Sequence, residues 1–361
     1  MKSKLIFGKN ETAIIKGVAI LLMLIHHLFM NTEGINYYSQ DFFNHLSSIG
    51  KICVSIFSFI TGYGIYISYE KNNNLNAKKR ITKLYIRYWI ILLLIFLPMQ
   101  ILAGNFTLTL GTISDYFLNL TGFKTSLNPN AWFLRNWIVF IIIAPLFFKL
   151  INKISNIAIE SILFIILPAV ISLIWSNHFL DALSGILYYI VNEILFSILV
   201  YLPFFTMGSI IAKHRLFNKL FVWLDKKSNG VILIILSIAF LVLMYLVPIN
   251  QFYIYGIYYS YLVVTPIFII TLVILANKLN VKVVNKLLSF FGKHSNNMWL
   301  IHGAFYVGIF QPLLYSVKYP LFIFFFLIAI SLISSIFTEK IIDLFTLIKC
   351  KTPKKINLSL G

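Results

Sequence analysis

The sequence predicts an all-α integral membrane protein that crosses the bilayer about ten times, with both termini in the cytoplasm. Three observations predict it. Of the 361 residues, 60% are hydrophobic and only 11% are charged, whereas a soluble domain carries charge on about a quarter of its residues. The apolar residues gather into runs near the roughly 20 residues that a bilayer-spanning helix needs. The basic residues fall between those runs, in bands that alternate along the chain. A net charge of +19 would point to nucleic acid in a soluble chain. Bands between apolar runs point to membrane topology instead, and no nucleic-acid partner is expected.

Taken in order, the runs lie at about 12–31, 47–69, 85–104, 130–150, 156–175, 186–212, 230–248, 253–276, 296–316 and 319–345. The first follows Lys2, Lys4 and Lys9 and has the look of a signal peptide. It lacks a small-x-small cleavage site and carries two histidines, so it is read as a retained helix. The fifth and sixth have the weakest boundaries, because Pro203 threatens to break the sixth.

Charge tests the count. The N-terminal arm holds Lys2, Lys4, Lys9 and Lys16, and the second connection Lys71, Lys78, Lys79, Arg80, Lys83 and Arg87. The fourth holds Lys149 and Lys153, the sixth Lys213, Arg215, Lys219, Lys226 and Lys227, and the eighth Lys278, Lys282, Lys286 and Lys293. Lys340, Lys349, Lys351, Lys354 and Lys355 close the chain. Only Lys51, Lys124, Arg135 and Lys318 of the 30 bases fall on the other side, the pattern expected with both ends inside. Two outer connections are long, Asn31 to Ser48 and Gly104 to Asn130, and bear Glu33, Asp41 and Asp115. Residues 1–351 read as one transmembrane domain and 352–361 as a short basic cytoplasmic tail. Cys53 and Cys350 fall on opposite faces and are not expected to pair, and no metal site is expected.

Ionisable groups in a membrane are costly, so each is a candidate for function. His26, His27, Arg135, Glu193 and His302 stand out, with Lys16 at the inner edge of the first run. Eleven residues separate Lys16 from His27, which returns a helix to within about 20° of its starting direction and about 16 Å along its axis. The two share a face, while His26 is turned about 80° from Lys16. A cation at the inner rim can hold the phosphates of a cofactor. A neutral imidazole farther out can take a proton from a sugar hydroxyl. The plainer alternative is a snorkelling lysine and a histidine bonded to a neighbouring helix.

Other segments are weaker signals. Phe57-Ser58-Phe59-Ile60-Thr61-Gly62-Tyr63-Gly64 serves either helix packing or a binding wall. The run from Lys78 through Lys79, Arg80 and Lys83 to Arg87 is either a lipid-headgroup anchor or a phosphate grip for coenzyme A. Trp132-Phe133-Leu134-Arg135 opens the fourth run at the outer face, where tryptophans form an interfacial belt. Arg135 is expected to pair with Glu193 or Asp115, or else to face a sugar. Gly292-Lys293-His294-Ser295 leads to Leu300 and to His302, a residue that on its own reads as a core histidine.

Together these segments resemble the acyltransferase-3 family of integral membrane acyltransferases. The family's first helix carries an Arg, ten residues and a catalytic His, a spacing that Lys16 to His27 reproduces. Phe57 to Gly62 resembles its Phe-rich Ser-Gly segment, and Lys79 to Arg87 its basic stretch. Trp132 to Leu134 with Pro145 matches its fourth helix, and Gly292, Ser295, Leu300 and His302 match its Gly-x-x-Ser and Leu-x-His signature. Lys16 in place of Arg keeps charge but loses the bidentate fork. Thr61 stands where Ser is usual, and the Pro of the basic stretch is absent.

The resemblance implies a stand-alone enzyme of the bacterial plasma membrane. It would move acetyl from cytoplasmic acetyl-CoA, with no tightly bound cofactor, to a hydroxyl of a polysaccharide on the cell surface. On this reading His27 is catalytic, either as a base or as a transient acyl carrier. Lys16, Arg80, Lys83 and Arg87 bind or steer the coenzyme, and His26, Trp132, Arg135, Ser295 and His302 belong to the substrate pocket. The rival reading is a glycan transporter or flippase without bond chemistry.

Overall fold

In the computed structural model, residues 4–30, 40–105, 107, 109–178, 185–246, 253–254, 257–258, 260–317 and 319–351 are described. Glu33, Lys318 and the basic tail 352–361 lie outside them, as does the Cys350 side chain. The described chain is helical apart from two-residue strands pairing Tyr253 with Tyr258 and Ile254 with Ile257.

The helices are α1 (Lys9–Met30), α2 (Gln40–Gly50), α3 (Ile52–Asn72), α4 (Ala77–Leu102), α5 (Leu110–Thr121), α6 (Pro129–Ile151) and α7 (Ile157–Trp175). They continue as α8 (Tyr189–Lys213), α9 (Leu216–Lys227), α10 (Gly230–Leu246), α11 (Tyr261–Lys278), α12 (Lys282–Ile301) and α13 (Pro320–Lys351). Among the described residues, 8 helices are long and apolar enough to span a membrane, where about ten spans are expected from the sequence. The run at 230–248 forms α10, an apolar helix of 17 residues. The run at 296–316 is not one helix. It comprises the end of α12 and then Gly303–Tyr306, Gly308–Phe310 and Gln311–Tyr315, broken where Val307 turns extended and where Pro312 opens the last piece. Gly303 to Tyr306 are all buried. Irregular backbone is tolerated at membrane depth when protein surrounds it.

Pro203 does not end its helix; α8 carries it, widened into a π-helix over Tyr189–Leu195. The long outer connections hold helix as well, α2 and α5. Asn73 at φ 50 returns its N–H to the Tyr69 carbonyl and stops α3, four residues before α4 begins.

Two crossings hold the centre. Lipid tails are as apolar as leucine, so helices in a membrane gain from close packing rather than from leaving water. A Cβ on Gly17 would lie 1.9 Å from the Leu288 carbonyl oxygen, and one on Gly292 1.9 Å from that of Ala13. In the second crossing, Gly62 would meet the Phe205 carbonyl oxygen at 1.9 Å and Gly208 that of Phe59 at 2.1 Å. Thus α1 lies backbone to backbone on α12, and α3 on α8. At the periphery α13 buries one stripe, Ile323, Leu327, Ser331, Ser335 and Thr338, and exposes Leu321, Phe322, Phe325, Ile333 and Phe337. That is the one-sided pattern of a helix facing lipid.

Candidate active site

α1 sits deep in the bundle. It buries Ile14, Ile15, Ala19, Ile20, Leu24 and Leu28, while Lys16, His26 and His27 keep partial access to a cavity. The cavity, of ≈ 1220 Å³, takes its walls from α1, α3, α4, α6, α8 and α12. Gly8 and His27 both line it, so it follows α1 for about 28 Å at the helical rise of 1.5 Å per residue. Among the described residues, no Asp or Glu lines it.

Its two ends differ in chemistry. Lys9, Lys16, Lys71, Arg80, Lys83, Arg87 and Lys293 line the end at the start of α1. Lys16 and Arg80 repel each other there. Arg80 is held by neutral acceptors, donating Nε–H to the Leu75 carbonyl at 2.9 Å and Nη2–H to the Ser68 hydroxyl at 2.9 Å. Its charge is therefore left for a ligand. Arg87 differs. Its guanidinium donates to Glu339 at 2.6 Å, so the grip expected of it is partly spent on α13. Cations gathered without lining acids suit a polyanion.

At the other end the walls are aromatic and imidazole-rich. His26 donates Nδ1–H to the Ser47 carbonyl at 2.8 Å, and Ser47 returns its hydroxyl to the His26 carbonyl at 2.8 Å. The lone pair of His26 is thus on Nε2. The expected 80° offset does not remove His26 from the site, because the cavity is broad enough to be lined by both imidazoles. The His27 ring lies 4.9 Å from His26, 5.0 Å from His302 and 5.6 Å from Tyr306, centre to centre. His27 Nδ1 is buried and unpartnered, which leaves Nε2 as the nitrogen with access to the cavity. His302 donates Nδ1–H to the Trp299 carbonyl at 2.7 Å, and its Nε2 is a second buried, unpartnered nitrogen.

Of the ten site residues expected, Lys16, His26, His27, Arg80, Lys83, Arg87, Trp132 and Ser295 line this one cavity. Two do not. His302 is fully buried one ring behind His27, at the end of α12 rather than within a continuous span. Arg135 is turned away, giving Nη1–H to the Phe123 carbonyl at 2.7 Å and to the Tyr189 hydroxyl at 2.6 Å. Neither Glu193 nor Asp115 is its ion-pair partner; Asp115 pairs with Lys124 at 2.6 Å. The segment Phe57 to Gly64 has two faces: Gly62 packs on α8, while Phe57, Thr61 and Gly64 line the cavity. Cys53 is buried and free.

Sequence reasoning missed Lys51, Asn130, Trp137, Tyr201 and Trp299, which also line the cavity. Lys51 and Trp299 carried a faint signal, one an outer base and the other an aromatic beside the Ser295 motif. Asn130 carried none, because an asparagine before a helix reads as a cap.

No curated protein and no solved structure matches the chain. The model of the acyltransferase domain family matches residues 13–339. That span takes in both glycine crossings and every residue from Ala13 to Trp299 that lines the cavity. Covering most of the chain, the match settles its kinship: the protein belongs to the acyltransferase-3 family and is a multi-pass membrane acyltransferase.

Proposed function

We propose that the protein carries acetyl from cytoplasmic acetyl-CoA to a hydroxyl of an extracytoplasmic or lipid-linked polysaccharide, in the plasma membrane of a bacterium. The observation that supports this reading is one continuous cavity with an imidazole-rich end and a cation-rich end that no described Asp or Glu lines. Lys16, Arg80 and Lys83 hold the phosphates of the coenzyme, with Arg87 steering from its Glu339 pair. The acyl end then reaches about 16 Å along α1 to His27. His27 Nε2 takes the proton of the acceptor hydroxyl as its oxygen attacks the thioester carbonyl carbon, and returns the proton to the departing sulfur. His302, whose own N–H is occupied by Trp299, packs its ring 5.0 Å behind that of His27 and holds the His27 imidazole toward the cavity. Trp132, Trp137, Trp299 and Tyr201 give the acceptor flat apolar walls of the kind sugars stack on.

A transporter uses no thioester and has no need of a base, so membership of an acyltransferase family sets that rival aside. The test is transfer from labelled acetyl-CoA in purified membranes. His27→Ala is expected to lower the rate roughly 10²- to 10⁴-fold with the protein still folded. Transfer at the wild-type rate in that variant removes His27 from the chemistry.

A further inference from the structure

Attack on a thioester carbonyl puts negative charge on the carbonyl oxygen, and a base such as His27 does nothing for that charge. A preorganised donor does. The cations around Lys16 are about 16 Å away along α1; Lys51 lines the cavity nearer and acts on His27 through its charge. A neutral group with an unused N–H, Asn130, lies beside Tyr306, whose ring stacks on His27. Asn130 is 7% exposed, lines the cavity, and sits at the start of α6.

Its side chain is oriented by three neighbours. Tyr306, whose ring stacks on His27 at 5.6 Å, donates its hydroxyl to Asn130 Oδ1 at 2.9 Å. Trp299 Nε1–H donates to the Asn130 backbone carbonyl at 2.8 Å. Gly303 leaves the room: a Cβ there would lie 2.0 Å from Asn130 Nδ2. Oδ1 accepts from Tyr306, and the Nδ2 amide donates to no described residue. Asn130 lines the cavity, so its unused Nδ2–H is open to an acceptor there.

We propose that Asn130 is a further catalytic residue, giving an Nδ2–H to the oxyanion formed on the acyl carbonyl, and that Tyr306 and Gly303 position it. The step balances. The acceptor oxygen bonds to the carbonyl carbon while its proton passes to His27 Nε2, and the carbonyl π pair moves onto the oxygen held by Asn130. The C=O bond then re-forms, the C–S bond breaks, and the thiolate leaves with the proton from His27. This rests on the acyl-transfer reading above.

The experiment measures kcat and donor KM with labelled acetyl-CoA, together with thermal unfolding in detergent. Asn130→Ala and the near-isosteric Asn130→Asp are each expected to lower kcat roughly 10²- to 10³-fold with donor KM unchanged. Gly303→Ala is expected to reproduce the loss with Asn130 intact, because its methyl displaces the amide. The double variant Asn130→Ala, Gly303→Ala refills the space, so it is expected to regain thermal stability but not kcat. Recovery of kcat in the double variant makes Asn130 a packing residue and overturns the proposal. So does wild-type kcat in Asn130→Asp, or a loss confined to KM. A wild-type protein that transfers nothing from the thioester overturns the acyl-transfer reading itself, and this proposal with it.

Discussion

Lys16 and His27 illustrate what one helix can do in a membrane enzyme. Each is held by α1, and each opens on the same cavity. Lys16 has Arg80 as its cationic neighbour, so an anion is the group that relieves their repulsion. Lys16→Met is expected to raise the KM for acetyl-CoA about tenfold to a hundredfold, the effect of losing one charge-assisted contact of about 1.5–3 kcal/mol. Lys16→Arg restores the charge and is expected to stay within a few-fold of wild type. A donor titration of both variants checks this, and an unchanged KM in Lys16→Met would free Lys16 from donor binding. Arg87 is the weaker partner, since Glu339 already neutralises it across the α4–α13 contact. The placement of these side chains was readable in part. An eleven-residue step on a helix is a local quantity, so Lys16 and His27 could be put on one face in advance. The Arg87–Glu339 pair joins residues 252 positions apart, and no local pattern announces it.

The helices show why a glycine in a membrane span means different things two residues apart, on opposite faces of one helix. Gly62 on α3 lies against the Phe205 carbonyl, whereas Gly64 has nothing within 4 Å of a built Cβ and lines the cavity. Gly62→Leu forces α3 and α8 apart. It is expected to destabilise by about 1–3 kcal/mol or more, seen as a lowered Tm or aggregation in detergent. Gly64→Ala is expected to leave Tm unchanged. Equal Tm values for the two variants would contradict the crossing. The same contrast explains the misread run at 296–316. Its composition is that of a span, and periodicity alone cannot tell a span from a buried chain. The stretch from Gly303 to Tyr306 is wrapped in protein, Asn130 lies where a side chain at Gly303 would be, and Val307 leaves the helix.

Taken whole, the molecule is a bundle built around a passage between two chemistries, one cationic and one imidazole and aromatic. If acetyl is moved along it to a surface polysaccharide, deleting the gene removes an ester from that polysaccharide and leaves its amount on the surface unchanged. Mass spectrometry of the surface glycans with and without the gene reads this directly. Export that fails while the ester pattern persists would favour a transporter.

The helical class, the membrane setting and the shared face of Lys16 and His27 followed from order along the chain. Hydropathy, charge bands and helical pitch are properties of neighbouring residues, and they survive whatever the rest of the protein does. The cavity, the turning away of Arg135, the burial of His302 behind His27 and the aiming of Asn130 by Tyr306 came from folding in three dimensions. Those depend on how α1, α6 and α12 pack against one another, and packing joins residues as distant as Asn130 and Tyr306, 176 positions apart, through contacts that neither segment carries alone.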